Sequence, residues 1–571
     1  MNNRKIKILL ISILAFAFFL RISGMFFGLL SGDVYGDEIG NTIAAFKIME
    51  AKSPVFVFGM KNYLPPLFSY LLVPAYGLIG IFGMIFHVFA SIADFKEFVI
   101  LYKEWFLAPS RILSAIFGMG TVYLVYLFAR KLFDEKIALF SAFLLAVDFL
   151  HLHESQIGHI WSPITFFTVF CAYSFFNLYL TGERKWYFFS AAALGLGYAI
   201  GQLPIIFYPF FVLAHYFYVK KIREKFLNKK FIEANIWLIA LLFVFTLLNF
   251  YTIYKHFYDV ILAVLEIVGL GDFAVSIFPR TIPGIAHSFS LVGNWVYAAK
   301  TLFYDSPVFF TAAFFGGFFL LKKNKFSAQN VFLLFFPVYN LIVFSFLFYN
   351  FTYRYVLPLV PFIAIIVSFF VFYASDNLFA GTKKAFALPL LMLAVSSYSM
   401  AASLPYSFLL TKPYTVDEAV VWVYENVPSG NRVVSDVYLN SNRESLEFLK
   451  EYNQFNWLDT RKNYLLGLND AEYPRPNYFL IDTNLTDVFS LPQKEKRADY
   501  ALVFFYEEKD KKEKIKIVET FGKSELAAFF YPKEGGEFTK SLLNIRPHFF
   551  LKNILETRQI GPNVEIYKFL K

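Results

Sequence analysis

Apolar runs of about 20 residues recur along the first 410 positions, and a helix of about that length crosses the hydrocarbon core of a bilayer. Such runs begin near Arg111, Ile137, Trp161, Ile232, Trp295, Ala328, Val356 and Ala385. The N-terminus reads Arg4, Lys5, Lys7 and then stays apolar to about Leu30. Its length, and the lack of a small-residue cleavage site, make it a retained first span and not a signal peptide. A tighter pair, Trp186 to Ile200 and Pro204 to Val219, is broken by Gly201, Gln202 and Pro204. The reading gives about eleven transmembrane helices. Composition agrees, because 57% hydrophobic and 17% charged residues, with 76 Phe, leave too little polar surface for a soluble or disordered chain. Cys171 is the single cysteine, so it forms no intramolecular disulfide and no zinc cluster.

The formal charge of +10 resides largely between the runs. Arg130, Lys131 and Lys136; Arg184 and Lys185; the stretch Lys220 to Lys230; Lys322, Lys323 and Lys325; and Lys383 with Lys384 follow one another two spans apart. Short cytoplasmic loops carry such excess, so this charge belongs to topology and anionic headgroups, and no nucleic-acid partner is implied. The N-terminus is then cytoplasmic. Leu64 to Ala90 is also long enough to span, yet counted alone it would turn every later basic loop outward. It is therefore expected to lie at the outer surface or re-enter, inside a first outer loop of about residues 31–109. Residues 411–571 return to a soluble mixture and read as an extracytoplasmic α/β domain. There Thr415 is placed to cap a helix, and strands are expected at Arg432 to Tyr438, Asn477 to Ile481 and Tyr500 to Phe505.

Chemistry is expected on the outer side, in the long loops. Asp33, Asp37 and Glu38 follow the first span directly, and Ile39, Ile43 and Phe46 continue at helical spacing, predicting a surface helix with carboxylates at its start. A carboxylate at the lipid boundary meets both a membrane-borne and a water-borne substrate, and as general base it contributes about 10²–10⁴-fold. These carboxylates are equally suited to cap the helix, and Asp37 with Glu38 are candidate oxygen ligands for a divalent metal ion, which the sequence leaves undecided. Arg354, between Tyr353 and Tyr355, falls at the outer boundary, where a guanidinium holds phosphate through two parallel bonds. Arg111, Arg280, Lys255 and His256 are weaker candidates. His151, His153, Glu154 and His159 fall in a short outer loop whose spacing matches no zinc signature.

Four short pieces then give the chain a resemblance: Gly36-Asp37-Glu38; Tyr63-Leu64-Pro65-Pro66-Leu67; Arg111 leading into Thr121-Val122-Tyr123-Leu124-Val125-Tyr126-Leu127; and Arg354-Tyr355-Val356-Leu357-Pro358. In order and spacing they resemble the polytopic GT-C glycosyltransferases related to protein O-mannosyltransferases and the lipid A aminoarabinose transferase. The resemblance covers about the first 400 residues and implies a GT-C fold and a polyprenyl-phosphate-linked sugar as donor, with inversion. It implies that Asp37 is the catalytic base, that Glu38 supports it, and that Arg354, flanked by Tyr353 and Tyr355, contacts the donor phosphate. Arg111 and Arg280 join that phosphate set, while Asp33, Lys61, Glu154, His159 and His256 are placed around the acceptor or behind the reacting groups. Two departures are plain. Relatives carry an Asp before a Pro where this chain has Ser162-Pro163, unless Glu154 or His159 replaces it, and Leu64 stands where the aminoarabinose transferase has Lys, with Lys61 three residues earlier.

The expectation is a membrane glycosyltransferase of the inner or plasma membrane, acting on a glycan, protein or lipid acceptor among membrane lipids. The alternative is a polytopic transporter or lipid flippase, which would share the composition and which the break at Gly201 to Pro204 keeps open.

Overall fold

The computed structural model describes residues 2–30, 38–52, 67–201, 203–248, 291–323, 327–347, 352–379, 382–435, 444–451, 459–469, 471–483, 489, 496–533 and 550–570. Helices α1 (Asn3–Ile22), α2 (Glu38–Ala51), α3 (Leu67–Ile85) and α4 (Ile92–Leu101) lead into α5 (Leu107–Leu132). Then come α6 (Glu135–Val147), α7 (Phe149–Gln156), α8 (Trp161–Thr181), α9 (Arg184–Gly201), α10 (Tyr208–Ile222) and α11 (Lys229–Leu248). After residues 249–290, α12 (Leu291–Asp305), α13 (Pro307–Lys323), α14 (Phe336–Leu347), the 3₁₀ turn Tyr353–Leu359, α15 (Val360–Leu378) and α16 (Thr382–Leu409) complete the bundle. Among the described residues, eight helices are long and apolar enough to cross a membrane, or up to ten if each of two bent pairs is one span. The bent pairs are α6 with α7, turning 58°, and α12 with α13, turning 117°.

α5 is the hub, packing on α1, α6 and α8, with aromatic rings filling the seams. Phe128, for example, meets Tyr173, Phe176 and Phe362 edge-on. One end of the bundle gathers the end of α1, the start of α5 and the end of α16: a Cβ on Gly24 would press on Leu410, and Arg111 bonds the Phe27 carbonyl. We call this the site end.

α3 has the length and hydropathy of a span, and its middle is tied to the start of α5. Its middle residue, Tyr76, donates to the Phe106 carbonyl at the start of α5 and lies 3.1 Å from Thr42 Oγ1. The centre of α3 is thereby held at the site end of α5, whereas a spanning helix would have its centre at mid-bundle. α3 and α4 form a hairpin in which Phe95 fills the space left by Gly80, and Leu78, Ile81, Phe82 and Ile85 face outward uncovered. In α2 the buried face is the set of small and polar residues Asn41, Thr42, Ala44 and Ala45, not the Ile39–Ile43–Phe46 stripe.

The C-terminal domain opens with α17 (Thr415–Asn426) and contains β1 (Arg432–Ser435), α18 (Leu446–Glu451), α19 (Asp459–Leu466), β2 (Phe479–Asp482), β3 (Tyr500–Phe505), α20 (Glu508–Phe521), β4 (Ser524–Phe530), α21 (Phe550–Glu556) and β5 (Asn563–Phe569). The sheet order is β2-β1-β3-β5-β4. β1 runs parallel to β2 and β3, in register Val433↔Leu480 and Val434↔Ala501, and β5 runs antiparallel to β3 and β4. Thr415 is not the cap of α17. It is the first helical residue, and its hydroxyl donates to the Pro562 carbonyl, tying the helix start to the head of β5. Tyr414, just before, meets Phe27 of the bundle at 5.3 Å, and Lys412 Nζ donates to the Arg558 carbonyl. A second contact joins α19 to α4, where burial and the neighbouring Glu97 carboxylate push the Tyr464 hydroxyl up to about 12.

Candidate functional site

The site end holds two buried ion pairs joined by one loop. In the first, Arg111 of α5 grips Glu38 through Nε to Oε1 at 3.0 Å and Nη2 to Oε2 at 2.7 Å. Its Nη1 serves the carbonyls of Gly24, Met25 and Phe27, where α1 has ended and acceptors are left over. Glu38 opens α2 and also accepts the Gly158 amide at 2.6 Å. The side chains of Arg111 and Glu38 are only 1% and 3% exposed. Arg111 is thus held by Glu38 and the end of α1, and the geometry gives it a structural partner in place of an open face toward a donor. Both oxygens of Glu38 are taken by cationic or amide donors, which fits a metal ion poorly. Among the described residues no three His, Cys, Asp or Glu side chains gather as a metal-binding group.

The second pair is Arg354 with Glu154, at 3.7 Å. Arg354 lies on the 3₁₀ turn, its guanidinium over the Tyr353 ring and its Nε 3.3 Å from the Tyr353 hydroxyl. Its side chain keeps 20% exposure against 0% for Glu154, so Arg354 is the reachable member and Glu154 stands behind it. His153 Nδ1 is 3.5 Å from Glu154. Tyr355 packs on Trp161 at 5.1 Å. The sequence-based expectation of a short loop for His151, His153 and Glu154 is corrected here: they sit on α7, every residue of which is buried. The segment remains helical because Asp148, between α6 and α7, caps it by accepting the His151 amide at 2.8 Å.

His159 follows Gly158 in the link from α7 to α8, its carbonyl bonded by Ser114 of α5. The two ion pairs therefore share this link, Gly158 touching Glu38 and α7 carrying Glu154. Gly158 is required by close approach, since a Cβ there would strike Ser110 of α5 at both its side chain and its backbone. Asp33, Asp37, Lys61, Lys255, His256 and Arg280 lie outside the described residues.

Several polar residues of this end are not singled out by sequence reading. Arg21 of α1 is fully buried and donates to the carbonyls of Ala17, Leu145 and Ala146, with Nη2 2.8 Å from His151 Nδ1. Gly118 leaves room for Arg21 and Ser155 to meet α5. Gln156 Nε2 donates to the Leu20 carbonyl, and Asp305 accepts the Leu150 amide. The available signal was the density of polar residues, Asp148 to Gln156, inside an apolar context.

The fold is that of a polytopic helical membrane protein with a C-terminal mixed-sheet domain. Residues 87–250 match the family model described as dolichyl-phosphate-mannose-protein mannosyltransferase, in agreement with the resemblance carried by the motifs. Among solved structures, the Archaeoglobus fulgidus oligosaccharyltransferase in complex with Zn and sulfate is 16% identical with a TM-score of 0.45, covering 76% of this chain and 60% of that one. ArnT from Cupriavidus metallidurans bound to undecaprenyl phosphate is 12% identical with a TM-score of 0.46, covering 99% and 98%. The chain thus spans 60% of the length of the archaeal enzyme. No protein of curated function matches it.

Proposed function

We propose that the chain is a membrane glycosyltransferase that moves a sugar from a polyprenyl-phosphate-linked donor to an acceptor hydroxyl, with inversion. The observation that carries this reading is the family match over 87–250, because that stretch supplies Arg111, Glu154, Gly158 and His159 to one end of the bundle. The donor phosphate lies against Arg354, whose charge is steadied from behind by Glu154. Asp37, the residue before Glu38 in the chain, takes the proton of the acceptor hydroxyl as its oxygen attacks the anomeric carbon. The bond from that carbon to the phosphate oxygen breaks, and the electron pair leaves with the phosphate. The Glu38–Arg111 pair fixes the start of α2 and so supports Asp37 by holding the chain that carries it. The basic end of the bundle faces the cytoplasm, and the site end and C-terminal domain face outward.

The test is transfer of labelled sugar from a panel of polyprenyl-phosphate sugars in membranes containing wild type or Asp37→Asn. Label should move with wild type and fall by at least about 10²-fold with Asp37→Asn, at unchanged thermal stability. Retained transfer by Asp37→Asn removes the base assignment, and no transfer from any donor removes the enzyme reading.

A further inference from the structure

The bend between α6 and α7 receives polar side chains, two of them ionisable, from three other helices. The free carbonyls of Leu145 and Ala146 at the end of α6 receive the Arg21 guanidinium, and Ser403 of α16 donates to the carbonyl of Val147. The free amides at the start of α7 receive two carboxylates: Asp148 takes His151 N at 2.8 Å, and Asp305 takes Leu150 N at 3.0 Å. A cation at a helix C-terminus and an anion at a helix N-terminus are each the favourable sign for the dipole. The second carboxylate is the unexpected one. Asp148 already caps α7 locally, whereas Asp305 reaches it from the last residue of α12, 155 positions away. Consecutive amides of one helical turn lie close together, so the two carboxyl groups are neighbours in a buried place, with Arg21 and His151 facing them from α1 and α7 and Tyr398 from α16. Two neighbouring buried carboxyl groups cannot both be ionised without cost, so a second acidic residue there needs a reason beyond filling space.

α12 supplies one, because it touches both elements that carry the second ion pair. At its end it holds α7, which carries Glu154. Along its length it packs on the turn Tyr353–Leu359, which carries Arg354, and on α14, where Asn294 Nδ2 donates to the Ser345 carbonyl. We propose that α12 is a strut that sets the Glu154–Arg354 separation, and that Asp305 is the positioning residue through which it grips α7. This rests on the reading of Arg354 as the donor-phosphate contact for its functional meaning, but not for its geometry.

The experiment is hydrogen exchange on the full-length protein in detergent, comparing wild type, Asp305→Ala and Asp305→Asn. The amide of Asn accepts the Leu150 bond, whereas Ala cannot. A lost cap is worth about 1 kcal/mol, so residues 149–157 and the Arg354 turn 353–359 should both exchange about fivefold faster in Asp305→Ala, with both near wild type in Asp305→Asn. Loosening confined to 149–157 would mark an ordinary local cap and overturn the strut. An Asp305→Asn variant that exchanges about fivefold faster than wild type in either segment overturns it as well, and this arm stands even where Asp305→Ala does not fold. Titration with a polyprenyl phosphate adds the functional arm: Kd should rise in Asp305→Ala and, in a Glu154→Gln background, rise no further, since coupled sites are not additive. Full additivity overturns the positioning role. A wild type that binds no polyprenyl phosphate removes the proposed function while leaving the exchange result to decide the strut.

Discussion

Two arginines that look alike in the sequence have different work in the molecule. Arg111 is enclosed, bidentate to Glu38 and bonded to three carbonyls past the end of α1, whereas the Arg354 side chain keeps 20% exposure. Removing one member of a buried pair strands the other, at about 3–5 kcal/mol. Arg111→Met is therefore expected to lower the unfolding midpoint in detergent sharply, and Arg111→Lys to recover little, because one ammonium cannot reach all of these acceptors. Arg354→Lys, which keeps a cation against the buried Glu154, should leave the midpoint near wild type and weaken polyprenyl-phosphate binding instead, because an ammonium loses the two parallel bonds. A stable Arg111→Met protein would sink this division. The sequence made Glu38, Arg111 and Arg354 visible as rare charges beside apolar runs, and motif order tied them to one kind of chemistry. It could not pair them, because Glu38 and Arg111 are 73 positions apart and nothing local records that they meet. Arg21 and Asp305 were hidden for the same reason: their partners are backbone groups at a bend between two other helices.

Among the elements, α7 is where local pattern misleads. Polar residues between two spans read as a solvated loop, yet caps from Asp148 and Asp305 and the cover of α1, α5 and α16 make a buried helix of them. The reading of α3 had the opposite history. Its hydropathy alone says span, while counting the basic loops says surface, and the structure ties its middle to the start of α5 through the Tyr76–Phe106 bond. The link after α7 is the tightest joint, since Gly158 lies against Ser110 while its amide holds Glu38. Gly158→Ala must push the link from α5, lengthening that bond, and overpacking of this kind costs about 1–3 kcal/mol. Loss of transfer with a modest fall in midpoint is expected, and Ser110→Ala, which removes the nearest atom, should restore part of both. Unchanged activity in Gly158→Ala would show that the link yields without moving the site.

At the scale of the whole molecule, the C-terminal domain is set across the site end by contacts on opposite flanks. Phe27 with Tyr414 and Lys412 with Arg558 fasten it near α1 and α16, and α19 against α4 fastens it near the first outer loop. Because Thr415 ties the start of α17 to the head of β5, and β5 runs against β3, the carboxyl ends of β3 and β1 point toward the bundle. The basic clusters lie at the other end. If charge sets the orientation, these two ends face different compartments. Cys171 is buried, so a Cys171→Ser background permits a clean test with single cysteines at exposed positions. Lys512→Cys in the C-terminal domain should react with a membrane-impermeant maleimide on intact cells, and Lys225→Cys in the basic loop only after the membrane is opened. Labelling of both from outside would mean that the stretch between residues 225 and 411 crosses the membrane an even number of times, so that the basic end and the C-terminal domain share one compartment. Labelling of Lys225→Cys alone would invert the molecule and put the ion pairs on the cytoplasmic side, where a donor would have to be used before it crossed the bilayer.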